Sequence, residues 1–302
     1  MENISMRELL LRRRQLLIRG EEKDVRAVCF KADGNQTVSI TKSNTTPPTI
    51  TMQYSYDGTS WNDWDLSALP FGGSKKIYVR GVGNKRFASG LYACNTFTFS
   101  TSALVYVSGI AETLLDWEIE IASYKTDFVF GRLFYGQTAL CSAKGLIFSS
   151  SSITHYAYYS MFYGCTSLLD GPESLPATLK GTYNCYQMFE GCSRLTTAPD
   201  LPATTLTAAC YERMFYGCGS LIVAPELPAT TLQQECYYYM FFRCTNLNYI
   251  KCRAKVTASR ATSYWLYNVA TSGTFYGYSK YKWTSNTGNG IPSRWKFVEL
   301  TD

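Results

Sequence analysis

Residues 188–213 read MFEGCSRLTTAPDLPATTLTAACYER, and residues 214–239 read MFYGCGSLIVAPELPATTLQQECYYY. Working outward, Met161-Phe162, Met188-Phe189, Met214-Phe215 and Met240-Phe241 recur at steps of 27, 26 and 26 residues. Gly164-Cys165, Gly191-Cys192 and Gly217-Cys218 follow at a constant offset, as do Leu168, Leu195, Leu221 and Leu247. Leu175-Pro176, Leu201-Pro202 and Leu227-Pro228 follow in turn. An eroded unit starts at Leu133-Phe134, with Gln137 in the cysteine position, so about four and a half units are legible. A fixed period of 20 to 50 residues signals stacked supersecondary units, none of which buries its apolar face alone, and such arrays generally bind rather than catalyse.

Within one unit, Ala203 to Phe215 opens after a proline, with threonines placed to cap a first turn. Leu206, Cys210 and Met214 fall at i, i+4 and i+8, the spacing of one helix face. The pattern predicts a short amphipathic helix ended by Gly217, where a positive φ is expected. The chain then turns at Cys218-Gly-Ser-Leu221 into a short extended segment. Pro199 and Pro225 cannot donate ladder hydrogen bonds, so the strands should be very short. The expected unit is a narrow parallel ribbon with helices behind it. Register is less regular before Met188, where Cys185 sits one residue out of step.

The MFxGCxSLxxAPxLPATTL…CY pattern resembles the BspA-like leucine-rich repeats of anaerobic gut bacteria and their phages. The likeness covers roughly residues 130 to 255, with about ten positions recurring in fixed order. The stretch Tyr54-Ser-Tyr-Asp-Gly-Thr-Ser-Trp61 is similar to a module that often precedes such repeats. Gly273-Thr-Phe275 and Gly290-Ile-Pro-Ser-Arg-Trp295 are similar to their usual C-terminal cap. The resemblance implies adhesion or recognition and carries over no catalytic residue.

Of eleven cysteines, Cys165, Cys192, Cys218 and Cys244 form one series at the repeat pitch, and Cys185, Cys210 and Cys236 a second. The odd total and apolar setting favour buried free thiols acting as small hydrophobes, although rungs of a stack lie near enough for a bridge. Zinc is disfavoured, because the chain lacks a C-x2-C pair and His155 is its only histidine. A triad would have to run through that residue, which is expected to be an ordinary helix-face position. The sequence contains no phosphate-binding loop, and no carboxylate pair is singled out. No cofactor is implied.

Net charge is +6, unevenly placed. Residues 5–19 carry five arginines against Glu8, whereas residues 161–248 carry four basic and seven acidic residues, a balance of −3 that speaks against nucleic acid on the repeats. Ser5-Met-Arg-Glu8 is a capping box, and Ile4 with Leu9 has the spacing of a hydrophobic staple, so a helix is expected from Met6 to Ile18. Leu9, Leu10, Leu16 and Leu17 flank Arg12, Arg13 and Arg14, which break the apolar core a signal peptide needs. No 20-residue apolar span suits a membrane crossing. The helix is read as an anchor, with a packing or dimerising helix as the equal alternative and a membrane-surface helix as a third.

Residues 25–105 alternate with turn signals about every ten residues, predicting a small antiparallel sandwich with strands at Arg26–Lys31, Thr37–Thr41, Thr49–Ser55, Lys76–Arg80 and Phe97–Tyr106. Ser55 to Trp61 is read as a hairpin stabiliser. The expected fold is therefore α+β with a solenoid: an N-terminal anchoring helix (1–24), a β-sandwich (25–110), a leucine-rich-repeat solenoid (111–252) and a C-terminal cap (253–302).

The expected function is non-enzymatic recognition, with 24 tyrosines giving the surface an adhesive composition suited to sugar or protein, unless they mainly cover the edges of the stack. A phage tail, fibre or spike protein, made in the host cytoplasm and displayed on the virion, accommodates both the repeats and the start of the chain. A bacterial surface or secreted adhesin is the alternative, and a carbohydrate-active enzyme a remote one. Expected partners are a bacterial surface protein or glycan and, through the helix, other virion proteins; self-association is left open. Asp170, Glu173, Thr197, Asp200 and Glu226 are nominated for binding, as polar positions on the ribbon.

Overall fold

A computed structural model describes residues 26–118, 121, 123–278, 283, 288 and 290–301. The predicted N-terminal helix, with Leu9, Leu10, Arg12, Arg13, Arg14, Leu16 and Leu17, lies outside the described residues. Two sheets form the first part. β1 (Val28–Ala32), β3 (Met52–Ser55), β4 (Asn62–Trp64), β6 (Ile77–Gly81), β8 (Val105–Ile110) and β9 (Leu140–Ile147) pair in the order β4-β3-β6-β1-β8-β9. β2 (Gln36–Lys42) pairs between β5 (Leu69–Phe71) and β7 (Asn95–Phe99). The sheets meet through aromatic side chains, with Phe30 of β1 lying 5.1 Å from Phe97 and 5.6 Å from Phe99 of β7.

The strand expected over Phe97–Tyr106 divides between the two sheets, and buried Gln36 explains the break. Its Oε1 accepts from the amides of Ser100 and Thr101, while its Nε2 donates to the carbonyls of Thr101 and Ala103. One side chain thus satisfies the turn's backbone without a ladder. Between β3 and β4, Asp57 Oδ1 accepts from the amides of Thr59 and Ser60 and from the Ser55 hydroxyl. Those bonds hold the Asp57 carboxyl well below the usual carboxylate range and make it a fastener of the hairpin.

The predicted repeat architecture requires correction. About 2% of the described residues are helical and 28% are strand, and they contain no α-helix, only a four-residue 3-10 turn at Ala111–Leu114. Neither the amphipathic helices nor the leucine-rich-repeat solenoid built on them forms, and the α+β class is replaced by an almost wholly β chain with several small sheets.

Where helices were expected, the chain makes consecutive four-residue turns. In residues 183–192, the amides of Tyr186, Met188, Glu190 and Cys192 each bond to the carbonyl three residues back. The intervening amides of Tyr183, Cys185, Gln187, Phe189 and Gly191 bond instead to carbonyls of residues 208–216, in the next unit. This alternation requires a left-handed residue every fourth position, and Tyr183 (φ 55°), Gln187 (φ 56°) and Gly191 (φ 77°) supply it. The same triplet recurs at Ala209, Arg213 and Gly217, and at Glu235, Tyr239 and Arg243. An apolar recurrence of four, as in Leu206, Cys210 and Met214, is common to a helix and to such turns. Left-handed backbone at non-glycine residues costs on the order of 1 kcal/mol each, which the bonds between units offset.

Side chains stack in columns along the array. The central one runs Phe97, Phe134, Phe162, Phe189, Phe215 and Phe241, with centroids 5.2 to 5.6 Å apart and planes within 19° of parallel. β7 therefore supplies the first layer, reinforced by the Phe97 amide bonding to the Leu133 carbonyl. At the far end Trp265 stacks on Tyr237 at 6.1 Å, and Tyr249–Lys251, Thr274–Gly277 and Lys296–Glu299 form a parallel three-stranded sheet.

All eleven cysteines are free and buried. Those in the first series do more than fill space. Cys165, Cys192, Cys218 and Cys244 donate their thiols to the carbonyls of Phe134, Phe162, Phe189 and Phe215, one unit back, at 3.0 to 3.2 Å. Burial pushes the Cys165 thiol up to about 12, so it remains protonated and able to donate. Tyr211 is the opposite case: it is 1% exposed and its hydroxyl has no hydrogen-bond partner among the described residues. Tyr211→Phe is accordingly expected to leave stability unchanged or raise it by about 1 kcal/mol, measured as a shift in urea midpoint. A loss of 2 kcal/mol or more would mean that the hydroxyl has an acceptor.

Candidate binding face

The four-residue turn rhythm sends side chains alternately two inward and two outward. In the third unit Asn184, Cys185, Met188 and Phe189 are buried, while Tyr183, Tyr186, Gln187 and Gly191 are half-buried on the outer side, where Glu190 alone is covered. Repetition converts the outward pairs into rows. Phe128, Tyr156 and Tyr183 stack at 4.7 and 5.0 Å with planes 2° and 4° apart. Tyr159, itself buried, stacks beneath this face on half-buried Tyr186 at 5.7 Å, and Tyr135 stacks on Tyr163 at 4.9 Å. Further along, Tyr216, Phe242 and Tyr267 stack at 4.8 and 5.2 Å, and Tyr239 on Tyr264 at 5.1 Å. The ring faces are occupied by one another, so the face presents ring edges and phenol hydroxyls.

A charged seam interrupts the rows where Ala209 replaces a ring. Arg213 donates through Nη2 to Glu190 Oε1 (2.7 Å) and through Nε to Glu190 Oε2 (2.9 Å), and Arg260 pairs with Glu235 at 2.9 Å. Glu212 is only 9% exposed, and it is the carboxylate left over. Burial, then repulsion from Glu235, raises its pKa to about 7 against the pull of Arg213 and Arg260.

The folded protein therefore holds a proton at Glu212 that the unfolded chain releases above about 4.5, and stability falls as pH rises from there through 7. The loss is on the order of 1–2 kcal/mol, allowing for solvent that still reaches the carboxyl. Glu212→Gln is expected to flatten this part of the stability profile between pH 5 and 8, raising the melting temperature at pH 8 relative to the parent. Parallel pH profiles for the two proteins would refute the assignment.

The five residues nominated from sequence lie elsewhere, along the seam of short parallel bridges. Asp170 bridges to Ser142 and to Thr197, and the Asp200 amide bonds to the Glu173 carbonyl at 2.8 Å. Glu226 is held in ion pairs by Arg253 (2.8 Å) and Lys251 (3.1 Å), which keep its carboxyl below the ordinary range. Thr197, Glu173, Asp200 and Glu226 are exposed, but their backbone serves the joining of units. His155 is an exposed turn residue rather than a helix-face one, and its Nδ1 accepts from the Thr182 amide at 2.9 Å.

Among the described residues no group of three or more metal-ligating side chains converges, and no helix is long and apolar enough to cross a membrane. The tyrosine rows were present in the sequence as pairs at the repeat pitch, Tyr156 with Tyr183 and Tyr159 with Tyr186. Compositional counting alone did not place them. None of the protein-family models, curated proteins and solved structures compared with the chain matches it.

Proposed function

We propose that this is a non-catalytic recognition protein that presents the outer face of its turn stack to a ligand on a bacterial surface. The observation carrying the reading is the set of stacked tyrosine rows on one face, held in place by bonds between units rather than by flexible loops. Tyrosine gives rigid amphipathic contact at low entropy cost, and rows fixed before binding lose little freedom on complex formation. The Tyr156 and Tyr183 hydroxyls make no hydrogen bond among the described residues, which leaves them for a ligand. The resemblance of the repeats to BspA-like sequences supports the same adhesive class.

The test is binding of the labelled protein to a panel of intact bacteria. A Tyr183→Ala, Tyr186→Ala double variant with a preserved thermal transition is expected to bind responsive strains at least tenfold more weakly. Undiminished binding, or failure of the parent to bind any strain, would count against the proposal.

A further inference from the structure

The left-handed row at the edge of this face changes character along the stack. Gly136, Gly164, Gly191 and Gly217 occupy it in the first four units, and Arg243 (φ 61°) and Asn268 (φ 58°) in the last two. Crowding does not impose glycine there. A Cβ built on Gly164, Gly191 or Gly217 would approach the preceding glycine no closer than 3.7 Å. The row consequently opens outward, and it ends in an open groove of about 780 Å³ lined by Gly217, Arg243, Thr245, Asn268, Val269 and Thr271.

Arg243 stands exposed over this groove. Its guanidinium makes no ion pair or hydrogen bond among the described residues and lies 5.5 Å from the Phe242 ring. That ring is itself stacked between Tyr216 and Tyr267. The groove lining thus combines the Arg243 guanidinium, unpaired among the described residues, with Asn268, two threonines, Val269, Ala270 and Gly217. A planar cationic fork beside hydroxyl and amide groups suits a carboxylate, and the apolar lining residues suit the C–H face of a sugar.

We propose that the groove takes a uronate residue of an acidic polysaccharide, its carboxylate held by Arg243 and Asn268. This rests on the recognition reading above and names its ligand class.

Titration calorimetry with polygalacturonate, its methyl-esterified form and dextran sulfate tests the proposal. Arg243→Gly is the informative variant, because it restores the residue of the four preceding units and relieves a left-handed arginine. The expected results are binding of polygalacturonate by the parent, at least tenfold loss in Arg243→Gly, partial loss in Arg243→Lys and no change in Lys42→Ala on the distant β2. The methyl ester should bind at least tenfold more weakly than the acid. Absence of binding by the parent, equal binding by Arg243→Gly, equal binding of the ester, or dextran sulfate binding as tightly as the uronate would each overturn it. If tyrosine-dependent binding to bacteria persists while any of these is found, only the ligand class falls. If bacterial binding also fails, the recognition reading falls with it.

Discussion

Phe189→Ala is expected to destabilise the protein by about 3–5 kcal/mol, the range for removing a buried phenylalanine from a core that closes poorly around the gap. Phe189 is fully buried between Phe162 at 5.2 Å and Phe215 at 5.6 Å, and Gly171 packs against its edge. Both neighbours are fixed by backbone bonds between units, so neither can move to fill the cavity without breaking the alternation that joins the stack. Equilibrium urea unfolding gives the value. A cost under 1 kcal/mol would mean that the column is not the continuous core described above. Phe189→Leu should recover more than half of the loss, because most of the volume returns.

The second large effect is expected at Glu112, in the short turn that follows β8. Its carboxylate is buried and accepts four bonds: from the Ser149 amide (2.9 Å), the Ser149 hydroxyl (3.0 Å), the Ser150 amide (3.1 Å) and the Tyr124 hydroxyl (2.8 Å). Tyr124 is linked in turn to the Tyr158 hydroxyl at 2.9 Å. Burial raises the Glu112 pKa, against which these donors favour the ionised form. The residue joins the end of β8, the segment after β9 and the second layer of the stack. Alanine would leave several buried donors without an acceptor, at roughly 1–3 kcal/mol for each unsatisfied group, and a total on the order of 4 kcal/mol is expected. Glutamine should lose less overall, since it keeps one acceptor oxygen, although its amide nitrogen must face an N–H. A Glu112→Ala protein as stable as the parent would show that water replaces the carboxylate and that the hub is not structural.

The pitch of the array and its buried residues were legible in the sequence. The repeated Met, Phe, Cys and Leu positions, such as Met188, Phe189, Cys192 and Leu195, are all fully buried, and Gly217 has the positive φ expected of it. The backbone between them was not legible. Leu206, Cys210 and Met214 recur every four residues in either geometry, and the residues that decide against a helix are Ala209 and Arg213, both left-handed. Alanine and arginine are strong helix formers, so local preference pointed the wrong way. What overrides it is the neighbouring unit, whose carbonyls take every second amide, and propensity has no account of a partner 25 residues away.

The same reason explains the binding site. Asp170, Thr197 and Asp200 were nominated from a ribbon-and-helix geometry, whereas the turns turn tyrosine pairs and the glycine edge outward. In the sandwich, the division at Ser100 depends on Gln36, a contact 64 residues distant in sequence. Alternating apolar residues from Phe97 to Tyr106 could not show that the strand changes sheets.

Alternate amides in each unit bond across to the next unit, and none bonds four residues back as in a helix. Through-hydrogen-bond scalar couplings in isotopically labelled protein measure this directly. The predicted result is a coupling from the Phe189 amide to the Met214 carbonyl, with matching ones from Cys185 to Cys210 and from Phe215 to Met240, and none from Phe189 to Cys185. Couplings from Phe189 to Cys185 and from Phe215 to Tyr211, with the bonds between units absent, would contradict it.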